Sequence, residues 1–133
     1  EIDSSHNKYS NLVYSCRSCN NSKNNKWPTK NELVHNNYDT GWIDPCDAEY
    51  DIHFQRSEVG EIIPITNLGN WMFKELKLYK PQHQINWSLE QLDEMIDELA
   101  AFVEKDKDNL PIRDSLIDIY RKYREFRDQL SKL

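Results

Sequence analysis

Apolar residues recur along this chain with two periods, and the change of period predicts its elements. In the last third the spacing is helical. Leu89, Leu92, Ile96, Leu99 and Val103 fall three or four residues apart, as do Ile112, Leu116, Ile119, Tyr123, Phe126 and Leu130. That spacing gathers each set on one face of a helix. Ser88, with Gln91 three residues on, has the spacing of a capping box and predicts the start of the first helix. Pro111 stands at a first helical position and predicts the start of the second. The polar residues 106–109 between them predict a turn, so the two stripes are expected to face each other in an antiparallel helical hairpin. Further back, Trp71, Met72, Leu76 and Tyr79 predict a helix over 69–79, stopped by Pro81. Before it the period drops to two. Tyr50, Ile52 and Phe54 alternate with Asp51, His53 and Gln55, which predicts a strand with His53 on its exposed side. A turn over 57–60 and a second strand over 61–65 complete a β-hairpin.

The first third is less periodic. Residues 37–48 are rich in Asn, Asp, Gly and Pro and predict a loop. The run 11–14, Asn-Leu-Val-Tyr, predicts a strand end. The run from Cys16 to Lys23 predicts a knuckle opening a short helix, closed by Trp27 and Pro28. Thr29 and Glu32 repeat the capping-box spacing and predict one or two more helical turns over 29–36. Trp71 and Trp87 are expected to be core or anchor residues. The organisation expected from these elements is residues 1–36, then a loop, hairpin and short helix over 37–86, then a two-helix extension over 87–133.

Composition narrows the class. Hydrophobic residues make up 38% and charged residues 30%, which predicts a globular chain with a modest core. No apolar run reaches the roughly 18 residues of a membrane span, and none is expected. The opening residues are polar and mixed in charge, unlike a secretory leader. The first residue is Glu1 and not Met, so further chain upstream is expected. The net charge of −6 argues against a general nucleic-acid binder. Its distribution changes the picture: residues 1–36 balance at +2 and residues 37–133 at −8, and no acid lies between Lys8 and Lys30. A local basic face on an acidic body fits a protein that meets phosphate in one place.

The three cysteines, Cys16, Cys19 and Cys46, do not form the even set of a disulfide framework, and they point to a reducing, cytoplasmic setting. Two cysteines separated by two residues can hold one metal ion, most often zinc. Two more ligands are then needed. Cys46, His35 and His53 are candidates within the chain, and an upstream cysteine pair is another. The same pair also fits a thiol redox site, or two reduced cysteines beside a helix.

The longer string is more specific than the pair. Asn11-Leu12, Cys16, Cys19, Asn20 and Lys23, running on to Trp27-Pro28, resemble the second half of the motif of HNH (ββα-metal) endonucleases. The likeness covers about a fifth of the chain. A looser one extends through Asp44-Pro45-Cys46, His53-Phe54 and the 60–64 segment to bacterial HNH proteins, some of which serve in anti-phage defence with an ATPase partner. The resemblance implies a role for each matched position. Asn20 would help hold a catalytic Mg²⁺ or Mn²⁺, and Asn11 would orient the general-base histidine. Lys23, with Arg17 and Lys26 beside it, would lie near phosphate. Cys16 and Cys19 would hold a structural Zn²⁺. Phosphodiester hydrolysis needs a base to activate water and a cation to stabilise charge on the phosphate, which is why such groups belong together.

The chain departs from that family in one respect. The acid–histidine pair of the preceding strand has no counterpart, since His6 lies only five residues before Asn11 and follows Ser5. Either the first catalytic strand was removed, or it lies upstream, or the domain is degenerate, and these 133 residues alone are expected to be inactive. The expected fold is α+β: a partial ββα-metal unit, a small β-hairpin and a C-terminal helical hairpin. The expected function is a DNA endonuclease with little sequence preference, working with DNA and, in a defence setting, with an ATPase or other protein subunit. The alternative is a non-catalytic, zinc-stabilised module that binds nucleic acid or protein, with the helical hairpin as a docking surface. A thiol redox protein is a third reading.

Overall fold

The computed structural model describes residues 16–31 and 33–133. The expected strand over 11–14, together with His6, Asn11 and the Glu32 half of one capping box, lies outside those residues. Among the described residues the fold is mixed helix and strand. Four α-helices, α1 (Arg17–Lys23), α2 (Asn67–Glu75), α3 (Pro81–Lys105) and α4 (Leu110–Ser131), accompany one two-stranded antiparallel sheet, β1 (Phe54–Arg56) with β2 (Ile62–Pro64). No helix among the described residues is long and apolar enough to cross a membrane.

The chain divides into two compact units. One extends to Gln55 and takes up again over Ile63–Tyr79; the other comprises Arg56–Ile62 and Lys80–Leu133. The first unit is built around Trp42, Leu68 and Met72, which are 5%, 1% and 2% exposed. Trp27, Ile43, Tyr50, Phe54, Trp71 and Leu76 pack around them, half-buried. Trp42 reaches this core because a tight turn precedes it. Asn36 and Gly41 form an isolated antiparallel bridge, and the Asn37 side chain accepts from the Thr40 backbone N–H at 2.7 Å. Gly41 sits at φ +126°, and a Cβ there would run into the Asn36 backbone, so only glycine fits the corner.

Three expectations of local structure are corrected. Residues 50–52 are a 3₁₀ turn and not a strand. Successive backbone bonds, Tyr50 N–H to Asp47, Ile52 N–H to Glu49 and His53 N–H to Tyr50, wind the chain three residues at a time. Tyr50 and Phe54, read as strand alternation, do share a side, with ring centroids 5.0 Å apart. Residues four apart share a face in a helical turn as well as in a strand, so the spacing did not discriminate. His53 is in consequence buried and not exposed. Its Nδ1 meets the Thr66 hydroxyl at 2.5 Å, and Thr66 also caps α2 by accepting from Gly69 N–H at 3.0 Å. The helix expected over 29–36 is absent from its described residues, 29–31 and 33–36, where the Thr29 hydroxyl donates to the Asn31 and Val34 carbonyls.

Pro81 begins a helix and does not end one. α2 stops at Glu75, where Lys77 adopts φ +56° and Leu78 N–H reaches back to the Phe73 carbonyl at 2.9 Å, a left-handed helix end. α3 then opens with Pro81 in its first turn after an extended Lys80, seven residues ahead of the expected Ser88 start. Proline is suited there, having no N–H to leave unsatisfied.

In the second unit, α3 packs against α4. The half-buried residues of α4 are Ile112, Leu116, Ile119, Tyr123, Phe126 and Leu130, the stripe expected from the sequence. Asn109 caps α4 by accepting from Ile112 N–H at 3.3 Å. The turn between the strands is fastened to the start of α3. Gln84 donates to the Val59 carbonyl at 2.8 Å, and Arg56 donates to the Gly60 carbonyl at 2.7 Å and the His83 carbonyl at 3.4 Å. Gly60 stands at φ +83° directly under the Trp87 ring, where a Cβ would overlap the indole.

Two predictions follow from this unit. Gly60→Ala is expected to lose about 2 kcal/mol or more in urea unfolding, since left-handed backbone and ring overlap are penalised together. A loss within about 0.5 kcal/mol, the ordinary surface effect, would show that Trp87 is free to move away. His83 is held below its ordinary 6.5 by burial and then by the nearby Arg56 and Lys80 charges. Below pH 6.5 the unfolded chain takes up a proton that the folded chain resists, so this contribution to stability is present above 6.5 and is lost as pH falls. Unfolding midpoints compared at roughly pH 7 and pH 5 should fall less for His83→Gln than for the parent.

Candidate metal and phosphate site

The motif residues that the structure describes lie on or beside one short helix. Cys16 is the N-cap of α1, with its Sγ accepting from Cys19 N–H at 3.4 Å. A sulfur cap satisfies one of the backbone donors left over at a helix start. Cys19 and Asn20 follow in the first turns, and Lys23 closes the helix. Cys16 and Asn20 are exposed, and Cys19 and Lys23 half-buried. The cap bond brings the backbone of Cys19 to the sulfur of Cys16. A closed zinc site takes four ligands, so any zinc held by this pair would need two more.

The remaining zinc candidates are not gathered there. Among the described residues no three His, Cys, Asp or Glu side chains form a group able to hold a metal. His53 is turned to Thr66. His35 sets its ring edgewise against Trp27, centroids 5.5 Å apart. Cys46 is exposed on a turn shaped by the Asp44 carboxylate, which accepts its N–H at 2.9 Å. The described residues therefore offer two neighbouring cysteines and no closed tetrahedral set.

The three cations expected to meet phosphate have different surroundings. Arg17 is exposed in the first turn of α1. Lys26 forms an ion pair with Glu75 of α2. Lys23 lays its ammonium over two indoles, 5.7 Å from the Trp27 ring centre and 5.5 Å from that of Trp42. A cation over an aromatic face gains about 0.5–2 kcal/mol depending on how far it is desolvated. Burial pushes the Lys23 pKa below the ordinary 10.5, because the charged form gives up water that the rings only partly replace.

Lys23 is the last residue of α1 and Trp27 lies beyond it, so helical spacing carries no signal of this contact. Trp42 and Glu75 carried none, being far along the chain. Trp42 is positioned by its own bonds. Its indole N–H donates to the Lys26 carbonyl at 2.7 Å, its backbone N–H donates to the His35 carbonyl at 2.8 Å, and its ring meets Trp71 edge-on at 4.8 Å. Asn11, the expected orienter of a base, lies outside the described residues. No family model, curated protein or solved structure matches this chain.

The Lys23 contact predicts a spectroscopic change. Indole emission should show an alkaline transition with its midpoint below 10.5 as the Lys23 ammonium loses its proton. Lys23→Met should lack that transition while keeping the far-ultraviolet circular dichroism of the parent. An identical titration in both proteins would remove Lys23 from the two rings.

Proposed function

We propose that this chain is the cysteine-and-asparagine half of an HNH-type (ββα-metal) endonuclease that hydrolyses DNA phosphodiester bonds with a divalent cation. The observation that carries the reading is local. One seven-residue helix, capped by a cysteine sulfur, bears Cys19, Asn20 and Lys23 at the motif spacing, with Asn20 open to solvent. In this reading Cys16 and Cys19 give two ligands to a structural Zn²⁺, and the other two come from outside residues 16–133. Asn20 gives its side-chain oxygen to Mg²⁺ or Mn²⁺. That cation, when bound, stabilises negative charge on the phosphate and the leaving oxygen. Asn11 orients the base histidine of a preceding strand, and Arg17 neutralises the DNA backbone beside the site. Service in a cytoplasmic anti-phage defence complex with an ATPase subunit belongs to the same proposal and rests on the looser resemblance alone.

One observation favours a second reading, a zinc-stabilised binding module without catalysis. Two of the three expected phosphate contacts are committed elsewhere, Lys26 to Glu75 and Lys23 to a pair of indoles. A lysine so engaged anchors a helix and is withheld from a phosphate.

Nicking of supercoiled plasmid by the gene product containing this chain separates the readings. The nuclease reading expects nicking that needs Mg²⁺ or Mn²⁺, stops with EDTA, and falls on the order of 100-fold or more in Asn20→Ala. Zinc content measured on the same protein should be lost in Cys16→Ser with Cys19→Ser. Bound zinc in a folded protein that never nicks would establish the binding module, and nicking indifferent to Asn20→Ala would sink the proposed role of that residue.

A further inference from the structure

The α3–α4 hairpin leaves one of its faces chemically unfinished. α4 has no buried residue; its inner stripe is only half-buried, as expected when two helices have nothing more to close over them. Beside that stripe lies a second set. Leu110, Ile117 and Tyr120 are 62%, 49% and 48% exposed, and at 3.6 residues per turn they share roughly 100° of the helix surface with Arg113, Arg124 and Arg127. The matching flank of α3 is acidic: Glu90, Asp93, Asp97 and Glu104 fall together by the same rule. α3 carries six carboxylates in all, against Lys105 as its single Lys or Arg.

Both flanks belong to one side of the hairpin. Each follows its inner stripe by the same rotation, and in an antiparallel pair equal rotations from the seam lead to the same face. That face sets an acidic helix beside a flank of α4 on which three arginines and three apolar residues accompany a single carboxylate, Asp128. The complementarity is not used up within the chain. Among the described residues the ion pairs are Lys26 with Glu75 and Arg121 with Asp118, and none joins a carboxylate of α3 to a cation of α4.

We infer that a second copy of this chain stacks on that face, hairpin against hairpin, as a two-fold four-helix bundle. A two-fold axis parallel to the helices sets α3 of each copy over α4 of the other, so acid meets arginine twice and the apolar residues of both α4 helices are covered. The surface is its own complement, as an isologous contact requires. Its size is sufficient. A 22-residue helix is about 33 Å long, so two side by side project roughly 650 Å², close to the roughly 800 Å² that each partner buries in a stable complex. The inference does not depend on the nuclease reading.

Sedimentation equilibrium of the 133-residue chain tests it. The expected mass is twice 15.9 kDa, with dissociation increasing with salt because the charge pairs are screened. Ile117→Ser with Tyr120→Ser should raise the dissociation constant at least about 10-fold, by loss of apolar burial, with the circular dichroism unchanged. Charge exchange gives a second arm. Arg113→Glu, Arg124→Glu and Arg127→Glu together should be monomeric, as should Asp93→Lys with Asp97→Lys, and mixing the two should restore a dimer. A monomer at all concentrations overturns the inference. So does a dimer that ignores the α4 substitutions, or a mixture of the two charge variants that stays monomeric.

Discussion

The first unit depends on the burial of Trp42. Its indole is 5% exposed, and three separate parts of the chain are fixed by reaching it. The Lys26 carbonyl takes its ring N–H, the Lys23 ammonium lies over its face, and Trp71 of α2 meets its edge. A seven-residue helix such as α1 is too short to persist in water by its own hydrogen bonds. What holds α1 is the ring its last residue covers, and the turn at residues 36–41 that delivers that ring. Gly41 matters for the same reason: a side chain there would collide with the Asn36 backbone and withdraw Trp42.

That arrangement bears on what the motif can do. A lysine at the end of a helix is ordinarily free to reach a phosphate. Here the same charge fastens the helix to the core, and Lys26 ties the segment after it to Glu75. Affinity for a polyanion would then rest on Arg17 and on residues outside those described. Asn20, by contrast, lies open on the helix beside Cys19 and keeps its side chain available. The helix leaves Cys16 and Asn20 exposed, with Cys19 half-buried beside them, while its far end is anchored.

The second unit uses a different device. Its hairpin turn is held to α3 by Trp87 over Gly60 and by Gln84 on the Val59 carbonyl, and its two long helices share a single seam. A two-helix hairpin can bury only one side of each helix, so half-exposed apolar residues remain however well the seam is packed. Charge is uneven on top of this: α3 carries six carboxylates against Lys105, whereas α4 carries five Lys or Arg against four carboxylates.

The helical hairpin, the second strand, the short helix at Cys16 and the loop over 37–48 were all legible in the sequence. In each, the local signal acts over three or four residues: an apolar stripe, a cap, a cluster of turn formers. The placing of Cys19, Asn20 and Lys23 on one short helix was legible for the same reason, because spacing along one helix is a local property. What only the tertiary structure decided were partners far apart in the chain. The 50–54 segment presented a spacing of two and four that suits strand and helix alike, and the backbone bonds from the Asp47 turn selected the 3₁₀ form. Pro81 suited both the end of one helix and the start of the next, and the left-handed Lys77 had already ended the first. His53 and Thr66, Lys26 and Glu75, and Lys23 and Trp42 are 13, 49 and 19 residues apart. No period in the sequence records such pairs, because they are set by which surfaces the buried Trp42 and Leu68 draw together.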